Sequence, residues 1–148
     1  MFKHILTATD GSKLSAKAVK AAIHLAKACG AKVAGVYVIP PYVPPMYGEA
    51  AIYVPEVTPK RYKDLAEKQA KKALSLVTID AQTAGVPCSI SHPTANQAWE
   101  GIIKTARAKK CDLIVMASHG RGGLAGLLLG SETTKVLAHS KIPVLVCR

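Results

Sequence analysis

Five short apolar runs recur along the chain, at Phe2 to Ala8, Lys32 to Ile39, Val86 to Ser91, Asp112 to Ala117 and Ile142 to Cys147. Each has the length of a strand, and each is bounded by turn or helix signals. Between them the apolar positions change period. In the first interval Ala18, Ala22, Ile23, Leu25 and Ala26 fall on one face of a helix. Ser12 or Ser15 can cap its start, and Gly30 ends it. Thr58-Pro59 opens a second helix with a cap residue and a first-turn proline, and Gly85 follows its end at about Ala84. Thr94 with Gln97 reads as a capping box for a third helix, running to about Lys110. A fourth helix is expected over Gly130 to Ser140.

The resulting order is β-α-β-α-β-α-β-α-β, with no hairpin signal. Strands alternating with helices predict right-handed crossovers and a parallel sheet. The class is therefore α/β, in one domain spanning residues 1–148 and without internal repeats. Ligands of such sheets sit at the carboxyl ends of strands, where the strand order reverses. A doubly wound sheet ordered 3-2-1-4-5 brings together Thr9-Asp10, Val38-Ile39 and the segment after the fourth strand.

Composition refines this picture. Hydrophobic residues make up 49% of the chain, yet it has one Trp and one Phe. The core must be aliphatic, as buried parallel sheets usually are. Trp99 on the third helix reads as a packing residue. The net charge of +11 would suit a polyanion, but the lysines recur at helical spacing, as in Lys13, Lys17, Lys20 and Lys27. That is the pattern of solvated helix faces, and no nucleic-acid-binding signature accompanies it. Nucleic acid and membrane are not expected as partners. The four cysteines, Cys29, Cys88, Cys111 and Cys147, form no C-x-x-C and have no histidine at ligand spacing. Free thiols and a cytoplasmic location are expected, with no metal site.

Two segments depart from regular periodicity. Pro40 to Pro59 holds six prolines interleaved with tyrosines, and is expected to be a long loop. Ala117 to Ser131, A-S-H-G-R-G-G-L-A-G-L-L-L-G-S, places five glycines between the fourth strand and the fourth helix. Glycines at such a crossing let backbone N–H groups approach a ligand, and a helix N-terminus favours an anion. No Gly-Lys pair supports a P-loop. A G-x-G-x-x-G fingerprint fails because Ala125 stands where its third glycine belongs, and the first strand ends in D-G-S instead.

What remains is G-x9-G-S from Gly120 to Ser131. With A-T-D-G-S after the first strand, Val38 after the second and the tail I-P-V-L-V-C-R, the chain resembles the universal stress protein family from residue 3 to residue 148. The resemblance implies a doubly wound five-stranded sheet and a homodimer joined through the last strand, Ile142 to Cys147. It also implies an adenine-nucleotide site for ATP, with Mg²⁺ as a candidate companion. In ATP-binding members the loop reads G-x-x-G-x9-G-[ST]. The first glycine falls on Ala117, the second on Gly120, the third on Gly130, and the hydroxyl on Ser131. The strand-one acid corresponds to Asp10 and the adenine-facing residue to Val38.

The residues themselves suit these roles. Asp10 can accept from a ribose or base, and Ala8, Val38 and Met116 can wall an adenine. Gly120, Gly130 and Ser131 can offer N–H groups to phosphates, and Gly130 is expected to be bare because a side chain would sit where phosphate belongs. Thr9, Glu132 and Thr133 complete the candidate set, and His119 and Arg121 could add charge. Each has a plainer alternative. Asp10 can form an Asx turn, Ser131 can be a helix cap, and His119 and Arg121 can face solvent. Ala117 is the departure: a positive φ there would strain alanine, whereas a need for small size would tolerate one methyl. No dedicated catalytic base is apparent. The expected function is a dimeric, nucleotide-binding stress or signalling module, not a dedicated enzyme. The alternatives are a nucleotide-free scaffold and a slow ATPase or self-phosphorylating protein.

Overall fold

The computed structural model describes residues 1–44, 57–121 and 129–148. Most of the proline-rich stretch, with Gly122, Gly123 and Gly126, lies outside them. The strands are β1 (His4–Ala8), β2 (Lys32–Val36), β3 (Cys88–Ser91), β4 (Leu113–Ala117) and β5 (Val144–Cys147). The helices are α1 (Lys13–Cys29), α2 (Pro59–Ala84), α3 (Ala98–Ala108) and α4 (Ser131–His139). The sheet is parallel throughout, in the order β3-β2-β1-β4-β5.

Side chains of a strand alternate between the two faces of the sheet. Ile5, Val33, Leu113 and Val115 accordingly pack with Val19, Ile23 and Val77 of α1 and α2. Leu6, Val36, Ile114 and Met116 pack with Ile102, Ile103 and Val136 of α3 and α4. Two aliphatic cores result, one on each side of the sheet. β1 lies at its centre, so Ile5, Leu6 and Thr7 are fully buried.

Local chemistry accounts for most boundaries. The Ser12 hydroxyl accepts the Ser15 N–H at 3.2 Å, which identifies Ser12 as the α1 cap. Gly30 and Gly85 end α1 and α2 at φ 64° and 71°, where L side chains are strained. Thr58 caps α2 through the Arg61 N–H at 3.2 Å.

The Thr94–Gln97 capping box does not form. α3 begins at Ala98, and Gln97 makes no side-chain cap bond. Pairing between Ile39 and Thr94 holds this segment extended against the chain leaving β2. Strand ends are also shorter than the apolar runs, because residues such as Phe2, Val86 and Ile142 are apolar for packing without being paired in a ladder. The described ends of the proline-rich stretch are tied to α2. Tyr62 Oη donates to the Pro40 carbonyl at 2.7 Å, Tyr42 Oη donates to the Val57 carbonyl at 2.9 Å, and the two rings lie 5.5 Å apart.

Candidate functional site

The order β2-β1-β4 places the switch in winding direction between β1 and β4, and the chain leaves both strands at the same edge. A cleft of about 260 Å³ opens there. Ala8 lines it from β1, Thr9 and Asp10 from the turn after β1, Val38 from beyond β2, and Met116 and Ala117 from β4. His119 and Gly120 follow β4, while Glu132 and Thr133 enter from the first turn of α4. Ten of the thirteen residues expected from the sequence therefore meet around one cavity.

Asp10 joins its two sides. Its Oδ1 accepts the Ser12 N–H at 2.9 Å, the Asx turn that the sequence left open. Its Oδ2 accepts the Arg121 backbone N–H at 2.9 Å, across 111 residues of chain. Partial burial works to raise the Asp10 pKa, but hydrogen bonding from Ser12, Ser15 and the Arg121 N–H outweighs it and holds the carboxyl below the usual range. Gly120 is shaped by this carboxylate, since a Cβ there would lie 2.7 Å from Asp10 Oδ2.

The apolar wall is backed by a second close approach. A Cβ on Gly101 of α3 would lie 2.7 Å from a Val38 methyl, so Val38 seats directly on the α3 backbone. Ala98 and Ile102 extend the wall from α3, and Tyr37 and Pro40 extend it from the chain after β2. The sequence reading missed these four. Ile102 was visible as a helical core position, whereas nothing in the pattern points Ala98 at a ligand.

Ala117 is the last residue of β4, in register with Cys147, and is 7% exposed. Lys110 is the one non-glycine residue with positive φ among those described. The strained alternative for Ala117 therefore does not apply. Its carbonyl accepts the Thr133 hydroxyl at 2.9 Å, which docks the first turn of α4 onto the strand end.

The geometry bears on four readings. Gly130 does not present its N–H to the cleft, because that group donates to the Ser118 carbonyl at 2.7 Å. A Cβ on Gly130 would meet His119 Cα at 3.0 Å, so bareness here allows two backbones to approach and does not make room for a ligand. Gly130 is the N-cap of α4, which makes Ser131 the first helical residue and not the cap. Thr134 is the first residue to bond back to the Gly130 carbonyl, at 3.0 Å, so the N–H groups of Ser131, Glu132 and Thr133 stand ahead of the helical ladder. The Arg121 guanidinium does not turn toward the cleft. It lies over Gly11, with Nη2 2.8 Å from where a Cβ on that residue would be. His119 lines the cleft, and its Nδ1 lies 3.2 Å from the Ser118 hydroxyl.

Glu132 reaches sideways to α3. Its Oε2 accepts the Trp99 backbone N–H at 2.8 Å and so supplies the cap that Gln97 does not. Its Oε1 pairs with Lys135 at 3.4 Å. Trp99 packs against the α3–α4 core and stacks on His139, with ring centroids 4.5 Å apart. Among the described residues there is no cluster of three metal-ligating side chains, and no helix is long and apolar enough to cross a membrane.

Comparison with known proteins agrees with this architecture. The model of the universal stress protein family matches residues 1–148. Universal stress protein YxiE of Bacillus subtilis is 36% identical, with all of both chains covered. The solved structure of the hypothetical protein MJ0577 is similar with a TM-score of 0.78 at 29% identity, covering 99% of this chain and 96% of the other. A universal stress protein in complex with cAMP is similar with a TM-score of 0.72 at 25% identity, covering 99% and 97%.

Proposed function

The chain belongs to the universal stress protein family, and from that membership and the chemistry of the cleft we propose that it binds an adenine nucleotide, ATP in particular, at the β1–β4 switch. The observation that carries this reading is the convergence of Asp10, an apolar wall and the first turn of α4 on one cavity. Ala8, Val38 and Met116 offer an apolar contact for a purine. The remaining acceptor capacity of Asp10 suits a ribose hydroxyl or base N–H.

At the other end, the N–H groups of Ser131 to Thr133 suit phosphate oxygens. Gly120 is bare where the chain crosses Asp10, which keeps the two loops close enough to flank one ligand. Mg²⁺, if carried in, would be held through phosphate oxygens and water, and would offset their charge. A relative with a similar fold is in complex with cAMP, which supports an adenine nucleotide in this cleft.

The same reading makes the protein a cytoplasmic homodimer that acts as a stress or signalling module and not as a dedicated enzyme. β5 is an edge strand with Leu145 42% exposed, and pairing with a second copy would cover it. Calorimetric titration with ATP, on protein purified through a denatured and refolded state to strip carried ligand, tests the nucleotide reading. Saturable binding at or below millimolar ATP is expected. Its absence would leave the nucleotide-free scaffold.

A further inference from the structure

We propose that Glu132 is a specificity residue that limits how much affinity the cleft gains from a nucleoside triphosphate over a monophosphate; the proposal rests on the nucleotide reading above. Two helices begin beside this cavity, since Ala98 of α3 and Glu132 and Thr133 of α4 all line it. Each helix start carries unsatisfied N–H groups and partial positive charge, so together they would form a strong seat for several phosphate charges.

Glu132 alters that arithmetic. It projects from α4 onto the start of α3, where its Oε2 accepts the Trp99 N–H at 2.8 Å. A resident carboxylate thus occupies one of the two anion-binding helix starts. It is held by a backbone donor and cannot swing aside without leaving α3 uncapped, because Gln97 makes no cap bond. It also follows directly on Ser131, whose N–H stands at the start of α4.

Lys135 moderates this charge. Its ammonium lies 3.4 Å from Glu132 Oε1 and donates to Gln97 Oε1 at 2.7 Å. Gln97 Oε1 in turn accepts from Trp99 Nε1 at 2.8 Å. The ammonium is therefore held between Glu132 Oε1 and the Gln97 side chain, while Glu132 Oε2 takes the Trp99 N–H. Each phosphate added to a nucleotide brings further negative charge toward Glu132, and the repulsion grows with the charge of the ligand. An uncharged adenosine does not feel it.

Titration of wild type, Glu132→Gln and Lys135→Gln with adenosine, AMP and ATP at low and high salt decides the point. Glutamine keeps an oxygen for the Trp99 N–H, and Trp99 fluorescence with circular dichroism checks that each variant is folded. The ratio of ATP to AMP affinity should rise about tenfold in Glu132→Gln and fall in Lys135→Gln, both shifts shrinking at high salt. A merely structural role would move adenosine, AMP and ATP affinities together. Ratios within about twofold of wild type in both variants, with all three ligands bound, would overturn this inference and leave the nucleotide reading intact. No binding of any ligand to the wild type would overturn both. If Glu132→Gln fails to fold, the direction of the Lys135→Gln shift decides alone.

Discussion

The Asp10 carboxylate and the Arg121 backbone N–H, 2.9 Å apart, clasp the loop after β1 to the loop after β4. Gly120 has no side chain at the point where this clasp closes. Gly120→Ala should therefore push Asp10 out of register and destabilise the fold by about 1–3 kcal/mol, the usual cost of overpacking. Urea denaturation measures the loss. Nucleotide titration should show weaker binding at the same time, because Asp10 is displaced from the cleft.

Ala117 invites the opposite expectation. Its position in the β4 ladder needs no positive φ, and its carbonyl is already held by Thr133. Ala117→Gly should leave ATP affinity almost unchanged while costing about 0.5–1 kcal/mol of stability through added chain entropy. A tenfold gain in affinity would show that the methyl itself obstructs the site.

Gly101→Ala should act on the cleft from behind. The new methyl would meet Val38, whose two methyl groups lie 2.7 and 2.8 Å from the place it would occupy. Helix propensity favours alanine by about 1 kcal/mol, so α3 itself should not suffer. The displaced Val38 should narrow the apolar wall, and adenosine affinity should fall along with that of ATP.

Stability should decline on mild acidification through His4. Burial, assisted by Lys32, lowers its pKa below 6.5, so the folded state favours the neutral ring. The stabilisation is present above the unfolded pKa near 6.5, and is lost as pH falls through the lower folded value. Asp112 adds a second limb at lower pH. Burial acts to raise its pKa, but the Lys3 and His4 N–H groups, at 2.8 and 3.0 Å, lower it overall. Its contribution holds above about 3.8 and vanishes as pH falls through the folded value. Denaturation midpoints across pH should show both limbs, and His4→Gln should remove the upper one.

The proposed dimer gives a last expectation. Leu145→Lys puts charge on an exposed position of the open β5 edge and should yield a monomer by light scattering at micromolar concentration. A wild-type monomer under the same conditions would count against pairing through this strand.

Much of the architecture was legible because its causes are local. Short aliphatic runs separated by helical periodicity lead to β1 through β5, and Ser12, Gly30, Thr58 and Gly85 mark helix ends through their own backbone preferences. The α3 start misled for an instructive reason. Thr94 and Gln97 have the spacing of a cap, but Thr94 is held in pairing with Ile39, and the cap comes from Glu132, 33 residues beyond Trp99.

The order of residue types along the chain determined the α/β class, the strand count, the family and the membership of most of the cleft, since these follow from periodicity and a short motif. Tertiary structure decided what each site residue does with its polar atoms. It turned the Gly130 N–H inward to Ser118, laid the Arg121 guanidinium over Gly11, freed Ala117 from any strained backbone, and bent Glu132 onto α3. A hydrogen bond between distant segments depends on where two elements pack, and spacing along one chain carries no record of that distance.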